Sequence, residues 1–333
     1  MEALIDIETQ CACGRAMTIK NIVYNQSIKF ILSGGKGGVG KTSAAGAMAV
    51  LSAKSGLRTL VLSTDPAHSL SDSFKQDLSG GEIIPVEGID NLWGMEISSE
   101  KGMQDFQNAM DGGGTEMEMA SQLLGSIGDM TPPGSDEAMA FGKILEFLDD
   151  MSYDRVIFDT APTGHTLKLL ELPELLDSWL GKVITMRQRL SSTLAGIRAM
   201  LGGREQEETA WEMLQQTKEK IKSAKLELQD QEKTQFVIVM IPEAMAVFET
   251  QRLLSSLNTW NIPMNNIVVN QLIPENPGCE FCSSRRQMQQ RNLVDIRDLY
   301  QDIDIVEVPL LNTEIVGIDS LENLGRILIG EDQ

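Results

Sequence analysis

The chain has 333 residues, of which 42% are hydrophobic, enough to bury a core in one large domain or two. Its 48 acidic and 28 basic residues give a formal net charge of −20, and an anionic surface of this kind argues against nucleic acid as a partner. No apolar run reaches the roughly 20 residues of a membrane span, and the N-terminus lacks a secretory signal, so we expect a cytoplasmic protein.

The first 22 residues are expected to form a flexible leader, followed by a single domain over residues 23–333. The leader contains Cys11 and Cys13, for which a metal-binding or oxidisable tail is the alternative to a plain flexible one.

Six short runs rich in β-branched residues predict buried strands, and helical patterns separate them. This alternation is typical of a mostly parallel sheet with helices on both faces, so the predicted fold class is α/β. The runs occupy residues 29–34, 59–64, 155–160, 235–241, 266–272 and 304–310.

A glycine-rich loop at residues 35–42 follows the first strand and precedes an alanine-rich helix, as in a P-loop NTPase. Its glycines allow successive backbone N–H groups to point at phosphate oxygens. Lys41 is expected to reach the β- and γ-phosphates, and the Thr42 hydroxyl to hold Mg²⁺. The predicted nucleotide-contacting residues of this segment are Gly35, Lys36, Gly37, Gly38, Val39, Gly40, Lys41, Thr42 and Ser43.

Two carboxylates follow predicted strands and are expected beside the phosphates. Asp159 ends its strand as a Walker-B aspartate does, where it contacts Mg²⁺, usually through water. Asp65 lies at the end of another strand and is positioned to orient or deprotonate the attacking water. His68 and His165 lie in the loops that follow, which we interpret as two switches that respond to the γ-phosphate.

Residues 100–140 and 177–230 interrupt the alternation and are predicted to form one inserted helical subdomain. Eight of the 18 methionines fall within residues 95–151. Methionine suits a surface that accepts varied apolar partners, although ordinary core filling also explains such a cluster.

Cys279 and Cys282 form a C-x-x-C pair, a spacing at which two thiolates bind one metal ion. The spacing alone is equally typical of a redox pair.

Taken together, these motifs resemble the tail-anchored-protein targeting ATPases of the guided-entry (GET/TRC) pathway and the related arsenite-pump (ArsA-like) ATPases. The likeness runs in unbroken order from about residue 24 to the end of the chain. It rests on GGKGGVGKT (34–42), STDPAHSLSDSF (63–74), PPGSDEAMAF (132–141), FDTAPTGHTLKLLELP (158–173), NQLIPENPGCEFCSSRRQMQ (270–289) and VPLLNTEIVGIDSL (308–321).

The resemblance implies a deviant Walker A site in which Lys36 contacts nucleotide bound to the other subunit of a homodimer. A second cation there would stabilise the charge that builds up during phosphoryl transfer. Asp65 would be catalytic, Glu243 would lie near the partner nucleotide, and Asn270 would bind adenine beside Pro309 and Leu310.

The resemblance also implies a zinc site shared across the dimer, in which Cys279 and Cys282 of each subunit supply two of four thiolates. The redox C-x-C of some eukaryotic members has no counterpart here, because the matching strand offers Ile238 and Met240.

In this family the paired helical subdomains form an apolar groove for the membrane-spanning helix of a client. The implied partners are tail-anchored clients, a membrane receptor and, in a eukaryote, pre-targeting co-chaperones. The protein would cycle to the endoplasmic reticulum, or to the plasma membrane in an archaeon, with membrane contact only through the receptor. The candidate wall residues are Met117, Leu123, Leu124, Leu190, Leu194 and Met200.

Three alternatives stay open. An arsenite-efflux ATPase subunit is disfavoured by the single phosphate loop, since that enzyme has two fused halves. A redox-activated holdase would work without ATP. A positioning ATPase with a membrane-targeting C-terminal helix is disfavoured by the short acidic C-terminus, residues 321–333.

Overall fold

The computed structural model describes residues 17–64, 69–97, 146–147, 152–160, 219–220, 222–276 and 278–331. All of residues 100–140 and most of 177–230, where we expect the helical subdomain, lie outside these ranges. The strands are β1 (Phe30–Gly34), β2 (Thr59–Ser63), β3 (Ile84–Pro85), β4 (Leu92–Glu96), β5 (Arg155–Asp159), β6 (Thr234–Met240), β7 (Met264–Leu272) and β8 (Asp304–Pro309). The helices are α1 (Ile19–Tyr24), α2 (Lys41–Lys54), α3 (Ser69–Phe74), α4 (Ala244–Thr259), α5 (Glu280–Leu299) and α6 (Ile318–Leu328), and residues 222–229 are also helical.

The eight strands form one sheet in the order β3-β4-β2-β5-β1-β6-β7-β8. Every pairing is parallel except that of the edge strand β3 with β4. The predicted α/β class and all six predicted strands are therefore confirmed, while β3 and β4 were not predicted.

Helices cover both faces of the sheet and bury two apolar cores. One core contains α1, α2 and α6, and the other contains α4, α5 and the helical residues 222–229. Small residues let α2 and α6 approach closely: a Cβ on Gly325 would come within 2.7 Å of Leu51. This packing positions α2, the helix that begins where the phosphate loop ends.

The chain is ordered earlier than we expected, because α1 begins at Ile19, within the segment expected to be a flexible leader. Its apolar side chains are buried in the core with α2. The buried guanidinium of Arg155 donates to the carbonyl oxygens of Ile22 and Asn25 at 2.8 and 2.7 Å, so the end of α1 is tied to β5. Burial lowers the pKa of Arg155 to about 10. Cys11 and Cys13 lie outside the described residues.

No helix among the described residues is both long enough and apolar enough to cross a bilayer.

Candidate functional site

The candidate site lies at the carboxyl ends of the central strands. Strand β1 pairs with β5 on one side and β6 on the other, and β2 and β7 follow outward. Loops after parallel strands meet at the same edge of a sheet, where ligands of open α/β folds bind. The phosphate loop follows β1 at the middle of this edge.

The phosphate loop curls back to the start of α2. Gly38 and Gly40 adopt positive φ angles of 78° and 96°, which L side chains rarely adopt. Lys41 opens α2 with its side chain buried, and its Nζ donates to the Lys36 carbonyl oxygen at 3.3 Å. The lysine therefore folds over the concave side of the loop, beside the helix N-terminus that favours anions.

Asn270, at the end of β7, lies directly behind this loop. Its Nδ2 donates to the Val39 carbonyl oxygen at 2.8 Å, and its Oδ1 accepts from the Gln271 backbone N–H at 2.8 Å. A Cβ on Gly40 would overlap the Asn270 amide. Both groups of the Asn270 side chain therefore contact backbone here, and its predicted contact with adenine stays a prediction.

Four oxygen-bearing side chains meet beside Lys41. The Thr42 hydroxyl donates to Asp159 Oδ2 at 2.7 Å, and the Ser63 hydroxyl donates to the same oxygen at 3.0 Å. The Ser69 hydroxyl lies 3.0 Å from that of Thr42. Hydroxyl and carboxylate oxygens are the ligands that Mg²⁺ prefers, so Thr42 and Asp159 fit the metal role that we predicted for them.

Ser69 is placed by a buried carboxylate that sequence reasoning missed. Glu96, at the end of β4, accepts from the backbone N–H groups of Leu70 and Ser71 at 3.0 and 2.9 Å. It thereby fixes the start of α3, with Ser69 against Thr42. Asp65, His68 and His165 lie outside the described residues, so their predicted roles stay predictions.

Lys36, in the phosphate loop, has a partly exposed side chain. Its Nζ lies 3.9 Å from the Glu249 carboxylate of α4. An exposed pair at this distance contributes little free energy, so the lysine can leave Glu249 at small cost.

The remaining predicted site residues surround the same edge. Glu243 precedes α4 and accepts from the Arg285 guanidinium of α5 at 2.8 Å. Pro309 ends β8, and the Leu310 N–H donates to the Leu272 carbonyl oxygen at 2.7 Å while its side chain is exposed. All three lie near the ends of strands, with Glu243 held by an ion pair.

Cys279 and Cys282 lie at the N-terminus of α5, and both thiols are free and partly exposed. The Cys279 sulfur accepts from the Cys282 N–H at 3.3 Å. Hydrogen bonds from Cys282 lower the pKa of Cys279. The side-chain hydrogen bond between the two thiols raises the pKa of Cys282. The described residues contain no group of three or more possible metal ligands, and a tetrahedral zinc site needs ligands beyond Cys279 and Cys282.

Comparisons with known proteins show the family to which the chain is similar. A family model described as anion-transporting ATPase matches residues 28–330. The ATPase GET3B of Arabidopsis thaliana is 42% identical over 322 residues, covering 90% of this chain and 78% of the relative. The ATPase ASNA1 homolog 2 of Paramecium tetraurelia is 38% identical over 321 residues, covering 94% of this chain and 97% of the relative. The ATPase GET3 of Podospora anserina is 37% identical over 322 residues, covering 94% of each.

Proposed function

This chain belongs to the anion-transporting ATPase family, and from that premise we propose that it is a homodimeric ATPase that targets tail-anchored membrane proteins. It would capture the membrane-spanning helix of a client in its ATP-bound form and deliver the client to a membrane receptor. The observation that carries the ATPase part is the convergence of Lys41, Thr42 and Asp159 behind a curled glycine loop.

In this proposal the described residues would supply most of a phosphoryl-transfer site. Backbone N–H groups of the loop and the start of α2 would bind the phosphates, with Lys41 at their outer end. Thr42 and Asp159 would hold Mg²⁺, which neutralises charge on the β- and γ-phosphates when bound. Asp65 would orient the attacking water or accept its proton.

Lys36 would complete this site across the dimer. Lys41 Nζ bonds to the backbone of its own loop, whereas the Lys36 side chain is partly exposed and lies beside Glu249 of α4, which leaves it free to reach a partner's nucleotide. A partner's nucleotide carries more negative charge than the single, partly exposed carboxylate of Glu249. Hydrolysis would then depend on closure of the two subunits, and Cys279 and Cys282 would join them through zinc with the partner's equivalent pair.

The client part of the proposal rests on the family and on the methionine-rich segment over residues 95–151. A groove for varied apolar helices must bind by burial, and flexible methionine side chains adapt to varied shapes. The proposed groove residues, Met117, Leu123, Leu124, Leu190, Leu194 and Met200, lie outside the described residues. We propose that the protein works in the cytoplasm and cycles to the endoplasmic reticulum, or to the plasma membrane in an archaeon.

The trans role of Lys36 is tested by Lys36→Ala. We expect kcat to fall on the order of 10³-fold, as for loss of an arginine finger. The affinity for ADP, measured by calorimetry, should change by less than about threefold, because Lys36 would act on charge that builds up on the transferred phosphoryl group, which ADP lacks.

The matched control is Lys233→Ala, a similarly exposed lysine paired with Glu227 just before β6, at the opposite end of the strands. Its turnover should equal that of the wild type. Wild-type turnover in Lys36→Ala refutes the trans role, and turnover stimulated by arsenite would favour the efflux function instead.

A further inference from the structure

Gln289 is a buried side chain of α5 that contacts the end of β7, the strand that bonds to the phosphate loop. Gln289 is 4% exposed and shares the buried stripe of α5 with Leu293 and Ile296. An amide on an otherwise apolar stripe is costly to bury unless both of its ends are hydrogen bonded.

Both ends of the Gln289 amide are bound to the end of β7. Its Oε1 accepts from the Ile273 N–H at 2.8 Å, and its Nε2 donates to the Gln271 carbonyl oxygen at 3.0 Å. One backbone partner is a donor and the other an acceptor, so a neutral amide satisfies both and a carboxylate does not.

The backbone held by Gln289 is irregular. Gln271 has a φ of 60°, in the left-handed region, and the pairing of β7 with β8 shifts register between Val269 and Leu272. A residue other than glycine keeps this conformation only where surrounding contacts hold it. The two hydrogen bonds from Gln289 are such contacts.

This bulge in turn holds two carbonyl groups of the phosphate loop. Gln271 Nε2 donates to the Gly38 oxygen at 3.3 Å, and Asn270 Nδ2 donates to the Val39 oxygen at 2.8 Å. In a trans peptide the N–H points opposite to the C=O. Anchoring the oxygens of Gly38 and Val39 towards β7 therefore directs the N–H groups of Val39 and Gly40 away from β7.

We propose that Gln289 and Gln271 are positioning residues for nucleotide binding: α5 holds the β7 bulge, and the bulge orients the peptides that bind phosphate. The proposal rests on the nucleotide role of the loop. It also gives the Cys279–Cys282 end of α5 a route to the nucleotide, since Gln289 follows Cys282 by about two helical turns on the same helix.

The test replaces Gln289 by methionine, which has a similar length and volume but makes neither hydrogen bond. The control is Gln290→Met, the same replacement at the exposed neighbouring position. We expect Gln289→Met to weaken ADP binding in calorimetry about tenfold and to raise the KM for ATP similarly, with kcat at saturating ATP within about twofold. Gln290→Met should match the wild type in all three quantities.

A purely structural role would lower the melting temperature of Gln289→Met and leave the affinity of the folded protein unchanged, and that result overturns the proposal. If Gln289→Met does not fold, the proposal is tested with Gln271→Ala. The Gln271 side chain is only half-buried, so this variant should fold, and it should bind ADP about threefold more weakly than the wild type. Wild-type affinity in that variant also overturns the proposal. A wild-type protein that binds no ADP contradicts the proposed function itself.

Discussion

Replacing Gly40 by alanine perturbs the phosphate loop in two separable ways. The residue has a φ of 96°, and a Cβ there would overlap the Asn270 amide, which bonds to Val39. Gly56 offers a matched control, since its φ is 94° and a Cβ would meet nothing within 4 Å. The two variants therefore share the backbone strain and differ in the collision with Asn270.

The expected magnitudes follow from these two contributions. A left-handed conformation costs a non-glycine residue about 1–2 kcal/mol, which is the whole expected cost of Gly56→Ala. Moving the Asn270 amide away from Val39 loses a buried hydrogen bond, a further contribution of about 1 kcal/mol. We therefore expect Gly40→Ala to lower the free energy of unfolding by about 2–3 kcal/mol.

Urea unfolding measures both variants, and calorimetry measures their affinity for ADP. Only Gly40→Ala should lose ADP binding, because only its substitution moves the loop. In an Asn270→Ala background, Gly40→Ala should cost no more than Gly56→Ala costs in the wild type. Equal costs for the two variants in the wild-type background would refute the inferred contact.

Three further predictions concern the metal sites and the core. Asp159→Asn should lower Mg²⁺-dependent ATPase activity about a hundredfold and preserve Mg²⁺-free ADP binding; full activity would contradict its metal role. Replacing Cys279 and Cys282 by serine should remove zinc in elemental analysis and weaken the dimer in light scattering, whereas a zinc-free wild-type dimer would contradict the shared site. The Tyr300 hydroxyl is buried with no hydrogen-bond partner among the described residues, so Tyr300→Phe should stabilise the protein by up to ~1 kcal/mol. Burial raises the pKa of Tyr300 to about 12, so the folded state keeps a proton that the unfolded state loses, and stability falls as pH rises from 10 to 12. Denaturant unfolding across that interval should show a smaller fall for Tyr300→Phe.

The parallel sheet was predictable because each central strand is buried on both faces and reads as a continuous apolar run. Strand β4 was missed because Gly94 interrupts its apolar residues and Glu96 ends it. Contacts with distant parts of the chain explain both residues. A Cβ on Gly94 would come within 2.6 Å of Leu78, and Glu96 holds the start of α3. Neither reason is visible in local sequence.

The start of α1 was missed for a similar reason. Its six residues are too few to show helical periodicity, and packing against α2 together with the Arg155 hydrogen bonds is what orders them.

The candidate site likewise has one part that local sequence predicts and another that only the tertiary structure shows. The phosphate loop is a local motif, so its residues could be predicted directly from the sequence. The contact between Val39 and Asn270 joins positions 231 residues apart, and the roles of Glu96, Ser69 and Gln289 likewise depend on which elements the sheet order brings together. One local signal did exist for Gln289: an amide on the apolar stripe of an amphipathic helix points to a buried hydrogen-bonded contact.

Co-purification with a tail-anchored client tests the proposed function most directly. The wild type and Asp65→Asn are each expressed with a client that carries one C-terminal membrane-spanning helix. Asp65→Asn, which should bind ATP without hydrolysing it, is expected to retain more client than the wild type, and removal of ATP should abolish capture by both. Failure of both proteins to hold the client in ATP, or equal capture without nucleotide, would contradict ATP-driven targeting.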